Sequence, residues 1–241
     1  MLYIDVGNTL FKIGRKENDG FHILFSRSSK GLKEEREFAF LTGLLATKEG
    51  VALSSVVPSI TDSLLKYFKK HQHPYVFLTC NNCDPLVFAV DDKREVGSDL
   101  IADSLGAISL GEDDYFICDV GTATKCIYLS KKTFMGLSIS PGLHTGLEGL
   151  LENAALLDLK NLKIPANPLG KNSEDCISGG LLYGKSYEIL GFYKAYCDIA
   201  NKPLKKILTG GDSQLLLPLL MDFEYHPTLL LEGLAYRFKE F

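Results

Sequence analysis

One phrase occurs twice in this chain: Asp5-Val6-Gly7-Asn8-Thr9 near the start and Asp119-Val120-Gly121-Thr122-Ala123 near the middle. Each copy closes a short apolar run, Leu2 to Val6 or Tyr115 to Val120, and opens another, Leu10 to Gly14 or Thr124 to Leu129. That pattern describes a strand, a tight turn and a second strand. A third run follows in both halves, Phe21 to Phe25 and Thr133 to Ile139. Such a recurrence at equivalent places is the mark of an internal duplication, and it restricts the chain to a fold built from two similar halves.

The first half continues with a helix-like segment at Lys33 to Thr47, a strand at Val51 to Val56, a helix after Pro58 that ends in Lys66, Lys69 and Lys70, and a strand at Tyr75 to Thr79. Lysines in a last turn suit the negative end of the helix dipole. The second half continues with a turn at Pro141 and Gly142, a helix at Leu147 to Leu157, and a long helix from about Ser173, whose hydroxyl is the expected cap. A strand at Lys205 to Thr209 and a helix at Gln214 to Met221 follow. At 241 residues, with 46% hydrophobic and 23% charged, the chain has the balance of a globular protein long enough for two cored lobes. The expected lobes are 1–110 and 111–241, each an α/β unit of mixed sheet and flanking helices.

A strand ending in Asp and Gly, followed by a hydroxyl residue, places backbone amides and hydroxyls at a strand end, where they can wrap a phosphate. Gly7 and Gly121 permit close backbone approach, Thr9 and Thr122 supply hydroxyl donors, and Asp5 and Asp119 can hold a hydrated cation near the phosphates. The bland alternative is an ordinary Asx-type hairpin turn in each half. Lys12 reaches phosphates from the second strand or stands as solvated surface. Thr209 to Asp212 packs an adenosine or forms a common turn capped by Asp212. His71 and His73 serve a helix C-terminus rather than a metal. His144 and Glu148, after the Pro141 turn, have no spacing that demands catalysis.

DVGNT with Lys12, followed by DVGTA, resembles the nucleotide-binding signature of the acetate and sugar kinase, Hsp70 and actin superfamily, whose lobes are actin-like (ribonuclease H-like) duplicates. Between the two, EVGSD at Glu95 to Asp99 resembles the substrate motif of type III pantothenate kinases. GLSISPGL at Gly136 to Leu143 and KNSEDCISGGLLYG at Lys171 to Gly184 resemble later landmarks of that family. The resemblance implies ATP-dependent phosphorylation of pantothenate, the first step of coenzyme A synthesis, by a homodimer that uses Mg2+ and a monovalent cation, K+ or NH4+. It implies ATP contacts from Asp5, Val6, Gly7, Asn8, Thr9, Lys12 and Thr122, and the monovalent cation on Asp119, with activity that falls when potassium is withheld. It implies a pantothenate site at Gly97, Ser98, Asp99, Leu100 and Ser173, with Asp99 as the proton acceptor.

The chain departs from the family pattern at four places. Leu100 stands for an Arg, Val90 for a Tyr, Lys125 for a Thr and Ile127 for an Asp. Leu100 and Val90 motivate a second reading, an actin-like kinase for a sugar or other small alcohol; a third, of a different class, is a nucleotide-binding scaffold without acceptor chemistry. The helix that Asp99 opens supports a further alternative for that residue, a simple helix cap. A net charge of -4 leaves no broad basic footprint for nucleic acid. The N-terminus is unlike a signal peptide and no apolar run approaches a membrane span, so a soluble cytoplasmic protein is expected. The six cysteines then need no disulfides, and Cys80 with Cys83 is a single CxxC, weak as a zinc or redox signal.

Overall fold

The structure, a computed structural model, describes residues 1–18, 20–32, 35–45, 49–154 and 156–239. Its strands are β1 (Leu2–Val6), β2 (Leu10–Glu17), β3 (Gly20–Ser28), β4 (Val51–Ser55), β5 (Tyr75–Phe77), β6 (Val87–Phe88), β7 (Asp114–Val120), β8 (Ala123–Ser130), β9 (Thr133–Pro141), β10 (Lys205–Thr209) and β11 (Glu224–Tyr225). Its helices are α1 (Leu41–Leu44), α2 (Pro58–Lys70), α3 (Ser98–Leu110), α4 (Leu143–Asn153), α5 (Ser173–Ala200) and α6 (Leu229–Arg237).

The duplication is explicit in the strand order. The first sheet runs β3-β2-β1-β4-β5, and the second contains the run β9-β8-β7-β10-β11. In each, the strand that ends in the repeated phrase is central, with an antiparallel hairpin partner on one side and a parallel strand on the other. A central strand of this kind is covered on both faces, so it reads as a nearly continuous apolar run rather than an alternation. In β1, Leu2, Tyr3, Ile4 and Val6 are all buried. The edge strand β3 is mostly exposed instead.

By packing, the chain separates into one unit of 1–112, 132–134 and 228–241 and another of 113–131 and 135–227. The first core gathers Leu2, Ile4, Phe11, Phe38, Leu53 and Phe68; the second gathers Phe116, Leu143, Leu182, Ile189 and Leu208. The expected division at 110/111 gives the last helix to the second lobe, whereas α6 packs on α3 and β1 in the first unit. Two glycines allow this. A Cβ on Gly233 would come within 1.8 Å of the Ala102 carbonyl oxygen, and one on Gly106 within 2.3 Å of that of Leu229. The helices touch backbone to backbone, a contact that a linear reading of α6 does not reveal.

Other differences have local causes. Of the segment expected to be helical at Lys33 to Thr47, a 3-10 turn at Glu35–Phe38 and the short α1 are seen; 33, 34, 46 and 47 lie outside the described residues. Helix α4 begins earlier than Leu147, because Gly142 caps it and Leu143 is buried. Asn172, not Ser173, caps α5: its Oδ1 accepts the Asp175 amide at 2.8 Å, and Ser173 is the exposed first residue of the helix. Gln214 to Met221 forms two 3-10 turns, Ser213–Leu215 and Leu217–Leu219. Pro218, which has no amide hydrogen to donate, stands in the second of them.

Candidate active site

In the first unit the turn between β1 and β2 is closed by the Gly7 amide donating to the Leu10 carbonyl at 2.9 Å. Ser29, at the end of β3 and itself buried, braces it from behind. Its hydroxyl donates to the Gly7 carbonyl at 2.7 Å and its amide to the Thr9 carbonyl at 2.9 Å. With those carbonyls engaged by Ser29, the exposed edge of the turn carries the side chains of Asn8 and Thr9. Asp5 lies directly opposite Lys12 in the β1-β2 register, so both side chains share one face of the sheet. Asp5 is half-buried at the strand's C-terminal end, where open α/β sheets bind ligands.

The EVGSD segment is fixed beside that turn. Strand β4 pairs parallel with β1, placing Ser54 opposite Asp5 and Ser55 opposite Val6. The buried Ser98 hydroxyl accepts the Ser55 amide at 2.8 Å, donates to the Ser55 carbonyl at 2.9 Å and lies 3.1 Å from the Ser54 hydroxyl. These bonds fasten the start of α3 to the end of β4, one strand from the Gly7 turn. Each contributes on the order of 1 kcal/mol, and together they leave the Ser98 hydroxyl no capacity for a ligand. The Ser98 hydroxyl thus serves to place the start of α3.

Asp99 is half-exposed in the first turn of α3, and its Oδ1 accepts the Leu100 amide at 2.8 Å. It folds back over Gly97, where a Cβ would come within 2.5 Å of the same oxygen. Gly97 is the helix cap residue and its missing side chain gives the carboxylate its position. Leu100 turns inward and is buried, so its side chain belongs to the core rather than to a substrate surface. The departure from Arg at this position is thus a core substitution.

In the second unit the turn after β7 is closed by the Gly121 amide donating to the Ala123 carbonyl at 3.1 Å. It is pressed by the start of α4: the Gly142 amide and the Thr145 hydroxyl both donate to the Thr122 carbonyl, at 3.0 and 2.7 Å. A Cβ on Gly142 would lie 1.8 Å from the Gly121 carbonyl oxygen. Lys185, nearly buried on α5, holds this approach by donating to the Pro141 carbonyl at 2.8 Å and to the Ser140 hydroxyl at 3.0 Å. Its charge is met by Glu188 at 2.9 Å. Thr122 itself is exposed.

Asp119 has Lys125 as its cross-strand neighbour, and the two form an ion pair with Nζ 2.5 Å from Oδ2. A monovalent cation on Asp119 does not fit this arrangement, because an ammonium already occupies the carboxylate. Asp212 stands at the N-cap position of the Ser213–Leu215 turn with no cap bond from its side chain; its carboxylate lies 3.0 Å from His144 Nδ1, while its amide donates to the Val120 carbonyl at 2.9 Å. Among the described residues no group of three or more His, Cys, Asp or Glu side chains could hold a metal ion. Cys83 is buried and Cys80 half-buried, both with free thiols, and burial pushes the Cys83 thiol up from its usual range.

The first unit thus brings Asp5 to Lys12 and Gly97 to Asp99 together at the ends of neighbouring strands. Thr122, Asp119 and Ser173 belong to the second unit. Sequence reasoning missed Ser29, Gly142 as a backbone contact, Lys185, and Lys125 as the partner of Asp119. A cavity of about 570 Å³ in the first unit, lined among others by Lys16, Phe21, Ser109 and Tyr236, sits at the other end of β2 from the Gly7 turn and is not this site. Among the described residues no helix is long and apolar enough to cross a membrane.

Two copies of one sheet, each with an Asp-Gly turn at the end of its central strand, define a duplicated actin-like α/β fold. Solved structures agree on the fold. One described as a Baf family transcriptional activator from Campylobacter jejuni superposes with a TM-score of 0.62 at 18% identity, over 100% of this chain and 98% of that one. Another, described as a 2-dehydro-3-deoxygalactonokinase from Sinorhizobium meliloti, gives 0.55 at 13% identity over 98% and 97%. The family model for type III pantothenate kinase matches residues 1–195. A type III pantothenate kinase from Acholeplasma laidlawii is 30% identical over 100% of this chain and 98% of its own length. The chain belongs to the type III pantothenate kinase family.

Proposed function

We propose that this chain transfers the γ-phosphoryl group of ATP to the primary hydroxyl of pantothenate, giving phosphopantothenate and ADP at the first step of coenzyme A synthesis. The observation that carries the reading is the fastening of Asp99 beside the Gly7 turn through Ser98 and β4. Phosphoryl transfer needs positioning and charge stabilisation above all, with one group to orient the attacking hydroxyl and take its proton.

In this reading the Gly7 to Thr9 turn and Lys12 bind ATP phosphates, and Thr122 adds a hydroxyl donor. Asp99 accepts the proton as the new oxygen–phosphorus bond forms and the bond to the β-phosphate oxygen breaks. Bound Mg2+ would supply charge neutralisation at the phosphates. Asp5 would hold it through its water shell, which suits an ion that takes one or two carboxylates and otherwise water and phosphate oxygens. Gly97 places the Asp99 carboxylate, and Ser173, exposed at the start of α5, remains a pantothenate contact. The monovalent cation has no place in the reading, given the ammonium on Asp119.

The reading includes a homodimer in the cytoplasm and, with a net charge of -4, no nucleic-acid partner. Support for the dimer comes from large apolar side chains left exposed along α5, Tyr187, Leu190 and Ile199. Light scattering at assay concentration is expected to give twice the chain mass, and a monomer would contradict it. An ADP-release assay over a panel of pantothenate, sugars and small alcohols tests the activity. Turnover is expected with pantothenate; turnover only with a sugar would sink the assignment, and ATP binding without acceptor-stimulated turnover would favour a scaffold.

A further inference from the structure

The Asp119 side chain is 13% exposed and that of Lys125 19%, so their ion pair is largely withdrawn from water. Withdrawing a carboxylate this far from water is costly unless a positive group beside it offsets the lost hydration. The pair is set by the sheet rather than by a loop, because Asp119 and Lys125 face each other directly in the antiparallel β7-β8 register. The other carboxylate oxygen, Oδ1, lies against the backbone of Gly210, whose φ is +97° and where a Cβ would come within 2.3 Å. The same register recurs in the first unit, where Lys12 stands opposite Asp5. A lysine across from the aspartate is therefore a position of the repeat itself.

We infer that Lys125 is a built-in monovalent cation. Its ammonium supplies at Asp119 the single positive charge otherwise taken from solution, and the chain binds nucleotide without added potassium or ammonium. The chemistry is matched, since a primary ammonium donates hydrogen bonds to a carboxylate oxygen as free ammonium does, and its tether makes occupancy independent of ion concentration. A potassium ion at Oδ2 would have to displace Lys125 and leave that charge largely buried without its carboxylate, which is strongly unfavourable. Bulk salt screens a pair this enclosed only weakly. The nucleotide part of the inference rests on the kinase reading; the cation part does not.

The test uses the full chain at one ionic strength in choline, sodium or potassium chloride, with two readouts: the thermal midpoint without nucleotide, and ATP affinity by calorimetry. For the unaltered protein both are expected to be the same in all three salts, with affinities within about twofold, a difference of under 1 kcal/mol. Lys125→Met should have a lower midpoint in choline that potassium selectively restores, because an ion that binds only the native state stabilises it. Its ATP affinity should fall by about tenfold or more in choline and recover in potassium. Lys125→Arg keeps the charge and should likewise show no difference between choline and potassium in either readout. Should Lys125→Met not fold, Lys125→Thr replaces it. An unaltered protein whose midpoint or ATP affinity rises in potassium over choline overturns the inference, as does a neutral variant indifferent to the cation. If the midpoints behave as expected and ATP binds in no salt, the kinase reading fails while the ammonium at Asp119 stands.

Discussion

Replacing Asp99 by asparagine is expected to lower pantothenate turnover by about 100-fold or more, the usual scale for losing a general base, while folding and ATP affinity stay nearly unchanged. Asparagine retains the side-chain oxygen that accepts the Leu100 amide at 2.8 Å, and losing the charge in the first turn costs only about 0.3–1 kcal/mol of dipole interaction. The substitution therefore removes the proton acceptor and little else. Steady-state kinetics with pantothenate, beside calorimetry with ATP and a thermal melt, separates the two roles. Near-normal turnover with an intact fold would make Asp99 a structural residue of α3 and send the search for a base elsewhere.

Gly142→Ala is expected to have the largest effect on the second turn. The backbone conformation at Gly142 is open to any residue, with φ -69° and ψ 174°, so the penalty is purely steric. The added carbon would lie 1.8 Å from the Gly121 carbonyl oxygen and 2.8 Å from that of Thr122, backbone atoms that cannot rotate away. Overpacking against such atoms costs about 3 kcal/mol, and in a chain of this size that lowers the thermal midpoint by roughly 10 °C. ATP affinity should fall with it, because Thr122 is carried by the displaced turn. Gly149→Ala is the control on the same helix, with open space at that position. It should leave stability unchanged or raise it by up to about 1 kcal/mol. If Gly142→Ala melts like the control, the close contact does not hold the turn.

The central elements were legible because their patterns are local. Leu2–Val6 and Lys205–Thr209 coincide with the expected strands, and the repeated phrase locates both turns. What stayed hidden depends on register. Lys12 follows its aspartate by seven residues and Lys125 by six, yet both lie opposite it, because the first hairpin has one more turn residue than the second. Counting along the chain makes Lys125 a missing threonine; pairing the strands makes it the equivalent of Lys12. Ser98 and Leu100 show the related limit. A motif names the residues of a helix start but not which side chains turn inward, and here one fastens the helix to Ser55 while the other enters the core. The two-residue strands β6 and β11 are too short to show an alternation, and the burial of α6 in the first unit depends on a contact with residues far away in sequence.

The most direct test of the account is to incubate the purified chain with MgATP and pantothenate and to identify the products by mass spectrometry. The account predicts a product heavier than pantothenate by one phosphoryl group, esterified at the primary hydroxyl, in equal amount to the ADP formed and lost in Asp99→Asn. ADP released without phosphopantothenate, or phosphoryl transfer to a different alcohol in preference to pantothenate, would contradict it.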